Sequence, residues 1–285
     1  MMDPVYCKIR DASNPHTLKA RLFFERMQET SGQFLGSDPA ERVAMDFYPV
    51  WWELYLDHAL HNAGIALGTR ANRTHPETGP DLLVENPNIW VEAVMPESGD
   101  GPDALNEPLT GQAFTVPIDD FVLRLRTAIA AKLSKLSRYI EDGTISPGDA
   151  AIVAVSGGRL PFRFNEGPIP YIVRAVLGVG GPTLEMDRAT KKIVGRSIEY
   201  RDHIVKKSGS PVDTDVFFRD ESTHVSAVLY SSADCVNHCT KPGSDFVLVH
   251  NPKASVPIAR GWLPIGDEYW IDQSSLVRTA HELGN

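Results

Sequence analysis

The sequence predicts an α/β protein: a central mixed β-sheet flanked by helices, with a helical N-terminal extension and a β-rich C-terminal part. Three observations predict it. The segment Asp120 to Glu141 repeats Val122, Leu125, Ile129, Leu133, Leu136 and Ile140 at steps of three and four, one apolar stripe of a long helix. Ala150 to Val155 is a nearly pure apolar run that suits a central buried strand. Beyond residue 177, short β-type runs alternate with turn residues.

Taken in order, Asn14-Pro15 supplies an N-cap and a first-turn proline for a helix over about 15–30, ended by Gly32. Asp38-Pro39 repeats the device, with Glu41 placed for a capping box. The helical pattern then runs to about Ala63, is stopped by Gly64, and should kink or restart at Pro49. An irregular stretch from Gly68 to Pro80 precedes two short strands, Leu82 to Val84 and Ile89 to Val94. A loop rich in Gly, Asp and Pro spans Pro96 to about Pro117. After the long helix and the buried strand, Pro170 to Leu177 reads as a helix. Ser197 to Val205, Val216 to Phe218, Val225 to Tyr230 and Phe246 to Val249 read as β-structure. No repeat, low-complexity tract or composition break marks a linker, so residues 1–285 are read as a single α/β domain.

With 42% hydrophobic and 23% charged residues the composition is that of a soluble globular protein. A net charge of -9 excludes a wholly polycationic surface, though it leaves room for a local basic groove. The N-terminus lacks a basic segment followed by an apolar core, and the longest apolar run is too short for a bilayer. Three cysteines give no disulfide framework. The expectation is a reduced, cytoplasmic protein with no membrane partner; a homodimer is left open.

Chemistry concentrates in the segment Gly79 to Val94. Glu85-Asn86-Pro87-Asn88 is turn chemistry between two apolar runs, which predicts a hairpin. With those four residues as the loop, Val84 pairs with Ile89, Leu83 with Trp90, Leu82 with Val91, and Asp81 with Glu92. Opposed residues share a face with Cβ atoms about 4.5–5.5 Å apart. Two carboxylates there repel unless a cation or proton lies between them. Glu92 also sits in an otherwise apolar strand, where a carboxylate needs a partner. Oxygen ligands of this kind suit Mg²⁺ or Mn²⁺.

At these residues the chain resembles the PD-(D/E)XK, or restriction-endonuclease-like, nucleases. Pro80-Asp81 matches the first half of the signature; Glu92-Ala93-Val94 matches the acidic position of the second half but has valine where the lysine belongs. The order of a helix bearing Glu53, the hairpin, the long helix and the buried strand also fits. The resemblance covers roughly residues 47–156 and, within it, an uncharacterised bacterial branch. It implies a nuclease-like core at about 38–160, with a β-rich extension at about 161–285. It further implies metal-dependent phosphodiester hydrolysis of DNA, less readily RNA, with Asp81 and Glu92 as metal ligands and Glu53 as a third acid. Asp57, one turn on, is the substitute for Glu53.

Valine at position 94 cannot position water or stabilise charge, and some members supply a basic residue from the following helix. A helical wheel puts Lys132 and Arg126 on opposite flanks of the apolar stripe, with Lys135 further out. Lys132 is the first choice as the migrated base because its stem can follow apolar surface to the stripe's edge; Arg126 is second. Arg124, Arg126 and Lys135 are candidates for contacts to the nucleic-acid backbone, and Lys191-Lys192, Arg196 and Lys206-Lys207 form further basic clusters. The other class of reading is a nuclease-fold protein without catalysis, which binds nucleic acid or a protein partner.

Remaining motifs read as ordinary structure. Cys235, His238 and Cys239 have no standard zinc spacing. Gly178-Val179-Gly180-Gly181 lacks the Gly-Lys-Ser/Thr of a phosphate loop and reads as a turn. Asp100 to Asp103 reads as a flexible surface loop, with a lid role as the functional alternative.

Overall fold

A computed structural model describes residues 2–31, 39–69, 79–109 and 111–281. Its N-terminal layer is α1 (Pro4–Arg10), α2 (Pro15–Ser31), α3 (Pro39–Met45) and α4 (Phe47–Asn62). Asp3 caps α1 by accepting from the Val5 and Tyr6 amides, a short helix absent from the sequence reading. Asn14 caps α2 as expected, accepting from His16 and Thr17. The break near Pro49 falls at Asp46, which puts the proline in the first turn of α4, where its missing N–H costs nothing. Gly32, Asp38 and the capping box built on it lie outside the described residues, as does most of the stretch before Pro80.

The sheet strands are β1 (Leu67–Gly68), β2 (Leu82–Val84), β3 (Ile89–Val94), β4 (Ala150–Ser156), β9 (Ala227–Ser231), β10 (Val247–His250), β11 (Gly266–Asp272) and β12 (Ser275–His281). They form one eight-stranded sheet in that order. β1, β2 and β3 make an antiparallel meander; β3, β4 and β9 run parallel; the far margin alternates antiparallel and parallel pairs. The crossover from β3 to β4 is α5 (Ile118–Glu141), and α6 (Tyr171–Leu177) follows β4. Two smaller ribbons stand apart from the sheet: β5 (Val179–Met186) with β6 (Ile193–Tyr200), and β7 (His203–Val205) with β8 (Pro211–Asp213).

Period-two alternation divides the core. Ile89, Val91 and Ala93 of β3, with Ile152 and Ala154 of β4, pack against the N-terminal helices. Trp90 of β3, Val153 and Val155 of β4 and Tyr230 of β9 pack under α5 and α6. The result is a helix–sheet–helix sandwich, the mixed α/β architecture that the sequence predicts. Trp52 of α4 donates its indole N–H to the Ala154 carbonyl at 3.2 Å and ties one layer to the central strand.

Four readings need correction. Val216 to Phe218 is a 3₁₀ turn rather than a strand, because its apolar residues bury against α6 without a strand partner. Ser197 to Val205 is divided between β6 and β7. Gly178 is the left-handed C-cap of α6 at φ 63°, and Val179 onward is strand rather than plain turn. The Asp100–Asp103 loop is tethered: Asp103 accepts from the Lys207 amide at 2.7 Å, and the Lys207 ammonium donates to the Pro102 carbonyl at 2.6 Å.

Candidate active site

The hairpin has the register read from the sequence: Leu82 faces Val91, Leu83 faces Trp90 and Val84 faces Ile89. Continuing that register by one residue sets Asp81 against Glu92, on the face that carries Trp90 and looks toward α5. Asp81 reaches across the strands, and its Oδ2 accepts the Ala93 amide at 2.7 Å. Tyr139 of α5 donates to the Gly79 carbonyl at 3.1 Å, fixing the Gly79-Pro80-Asp81 approach to the hairpin.

Glu92 is 0% exposed. Such a carboxylate needs partners, and α5 provides two. The ammonium of Lys132 lies 2.5 Å and that of Lys135 2.7 Å from Glu92 Oε1. Lys135 in turn lies 5.4 Å from the Tyr139 ring centre. The other carboxylate oxygen, Oε2, is buried with no hydrogen-bond partner. Burial first, and then the charge of Asp81, push the Glu92 carboxyl above its ordinary range, against the pull of the two lysines. Burial works to lower Lys135, but its hydrogen bond to Glu92 and their attraction outweigh this and hold the ammonium above the usual lysine range.

Lys132 therefore stands where the sequence places a migrated base. Lys135 does not lie further out: it shares Glu92 with Lys132, since residues three apart on a helix are neighbours. The spacing Lys132, Lys135, Tyr139 at steps of three and four carried that signal, which a wheel centred on the apolar stripe obscured. Arg126 is 6% exposed and turned elsewhere, donating from Nε to the Asp213 carbonyl at 2.6 Å. Burial lowers its guanidinium below the ordinary range, and it is neither at Glu92 nor free to meet a phosphate backbone. Arg124 is half-buried beneath the 97–105 loop, where a methyl group at Gly99 would overlap its guanidinium.

Glu53 is held by Arg42 of α3, whose Nη2 lies 2.7 and 3.0 Å from its two oxygens. Asp57 is buried at 2%, and burial raises it to about 6 against the pull of Ser31 and His61. Among the described residues no three His, Cys, Asp or Glu side chains gather as a metal group, so neither acid completes a triad with Asp81 and Glu92. His238 stacks on Phe23 at 3.9 Å, and Cys235 is buried, which pushes its thiol up to about 12. Among the described residues no helix is long and apolar enough to cross a membrane.

The site presents two carboxylates, two ammonium groups and one unsatisfied buried oxygen. Asp81 and Glu92 are the two acids here that could hold a divalent cation, since one or two carboxylates with water suffice for Mg²⁺. No family model, curated protein or solved structure matches the chain.

Proposed function

We propose that the protein is a Mg²⁺- or Mn²⁺-dependent phosphodiesterase acting on DNA, built on a restriction-endonuclease-like core. The observation that carries this reading is the fully buried Glu92, with an unpartnered Oε2, beside Asp81 and beneath Lys132 and Lys135. The succession α4, β1 to β3, α5 and β4 supports it, since a helix, a hairpin, a helix and a buried strand are the order that the PD-(D/E)XK resemblance implies.

Charge supports the chemistry. Asp81, Glu92, Lys132 and Lys135 sum to zero, so a divalent cation adds two positive charges. A phosphodiester and a deprotonating water offset that excess, whereas a neutral substrate leaves it uncompensated beside a buried carboxylate. Asp81 and Glu92 would hold the cation, which when bound polarises a phosphoryl oxygen and acidifies water. Lys132 orients the attacking water through its contact with Glu92. Lys135, held protonated, balances the charge that develops on the phosphoryl oxygens. Glu53 is an accessory acid only insofar as it positions α4 through Arg42.

A second reading has its own observation. The four ionised groups already neutralise one another, and Val94 replaces the motif lysine, which suits a nuclease-fold protein that binds nucleic acid or a partner without cutting. Incubation with plasmid and single-stranded DNA, in Mn²⁺ and in chelator, separates the two. Metal-dependent cleavage, lost in Glu92→Gln and reduced in Lys132→Met, is expected. Cleavage that survives Glu92→Gln removes the site assignment, and DNA binding without cleavage on either substrate favours the second reading.

A further inference from the structure

The β5–β6 ribbon takes no part in this site. Its strands pair with each other, not with the eight-stranded sheet, and nearly every residue from Pro182 to Tyr200 is exposed. A free two-stranded ribbon is marginal in water, and this one shows solvent Leu184, Met186, Ile193 and Val194 at 58%, 58%, 52% and 68%. Its turn is nonetheless well formed. Asp187 Oδ1 accepts from the Thr190 amide at 2.6 Å and the Thr190 hydroxyl at 2.7 Å, and the Asp187 amide donates to the Lys192 carbonyl at 2.9 Å.

That commits the acid of the tip to the turn. Around it stand Arg188, Lys191 and Lys192, all exposed, with Arg196 opposite Leu184 on the returning strand. None of these four cations has an ion-pair partner among the described residues. Glu185 and Glu199 lie back along the strands, so the arm carries four cations against three acids. In a chain of net charge -9 its tip is nonetheless cationic and suits a polyanion. The major groove of duplex DNA, about 12 Å wide, admits a two-stranded ribbon. Strands of this length span roughly 26 Å, long enough to lie along it. Apolar side chains beside the cations suit sugar edges and thymine methyl groups. The ribbon is rooted at the start of α5, where Arg201 grips Asp119 at 2.6 Å through both guanidinium nitrogens. Lys132 lies on the same helix about 20 Å further along.

We infer that the β5–β6 ribbon is a DNA-binding arm that grips duplex through Arg188, Lys191, Lys192 and Arg196. This rests on the nuclease reading and names its substrate as double-stranded.

The test uses the full chain carrying Glu92→Gln, a short fluorescent duplex, chelator, and anisotropy titrations across a range of salt. Arg188→Ala/Lys191→Ala/Lys192→Ala should weaken binding at least roughly tenfold and lower the salt slope by about 2–3, with an unchanged melting temperature. Lys19→Ala on α2 should leave both unchanged. The arm is overturned if the triple variant keeps the parent's affinity and slope, or if the parent binds no duplex. It is likewise overturned if the substitutions change oligomeric state or binding to anionic vesicles while duplex binding persists. Should the natural sequence fail to cut in Mn²⁺ while the triple variant loses duplex binding, the nuclease reading falls and the arm stands. Cleavage lost in Glu92→Gln but indifferent to the arm's cations, with binding equally indifferent, gives the reverse.

Discussion

At the scale of single residues the molecule turns on one carboxylate. Glu92 is buried with Lys132 and Lys135 on the same oxygen, so either lysine alone still leaves a compensated charge. Lys132→Met and Lys135→Met should each cost modestly. The double variant strands a buried carboxylate and should cost about 3–5 kcal/mol, more than the sum of the singles. Glu92→Gln added to the double variant should recover much of that loss, measured by urea unfolding; strict additivity would show that the lysines act separately. The pairing of Asp81 with Glu92 was legible because the four-residue turn Glu85-Asn86-Pro87-Asn88 fixes register and an acid in an apolar strand demands company. Lys135 at Glu92 was less legible, since wheel angle ignores where a long stem bends.

At the scale of elements, the strongest sequence signals were those with a single dominant period. The Leu125, Ile129, Leu133, Leu136 stripe and the Ala150–Val155 run gave α5 and β4 to within two residues. β11 and β12 went unread because the edge of the sheet is half solvated, and Asp267, Glu268 and Arg278 interrupt any apolar run. What begins β11 is a glycine. Gly266 has φ 75°, and a methyl group there would sit 2.2 Å from the Phe246 carbonyl oxygen, which also accepts the Asp267 amide at 2.7 Å. Neither backbone can yield, so Gly266→Ala should destabilise by on the order of 2 kcal/mol or more, where the exposed Gly148, with open space around it and no left-handed φ, tolerates replacement far better. A chemical-denaturation midpoint equal to that of the natural sequence would refute this account of the β10–β11 junction.

At the scale of the whole molecule, the buried Asp57 and the half-buried Glu166 give stability a pH dependence. Burial raises Glu166 to about 7, against the pull of the Tyr171 amide, the Tyr230 hydroxyl and Arg174, and raises Asp57 to about 6. Each folded-state value lies above that of the unfolded chain, so the fold binds more protons over this window. The contribution of each of these two groups to stability is full below about pH 4 and is lost as pH rises through 6 to 7, by roughly 3 kcal/mol per group at most. Glu166→Gln should flatten part of the decline; unfolding curves at pH 5 and pH 7.5 that shift equally in both proteins would exclude it. Whole-molecule topology was half legible: the apolar run marked β4 as a buried central strand of a mixed sheet, but nothing local announced that its two neighbours are β3 and β9.

That second pairing has a consequence for how the chain is made. Ile152 waits beside an open edge until Ala227 is synthesised, and everything between them, the arm included, must leave the ribosome first. Until then this wholly buried, apolar strand keeps one margin unpaired, an edge open to pairing with other chains while synthesis continues.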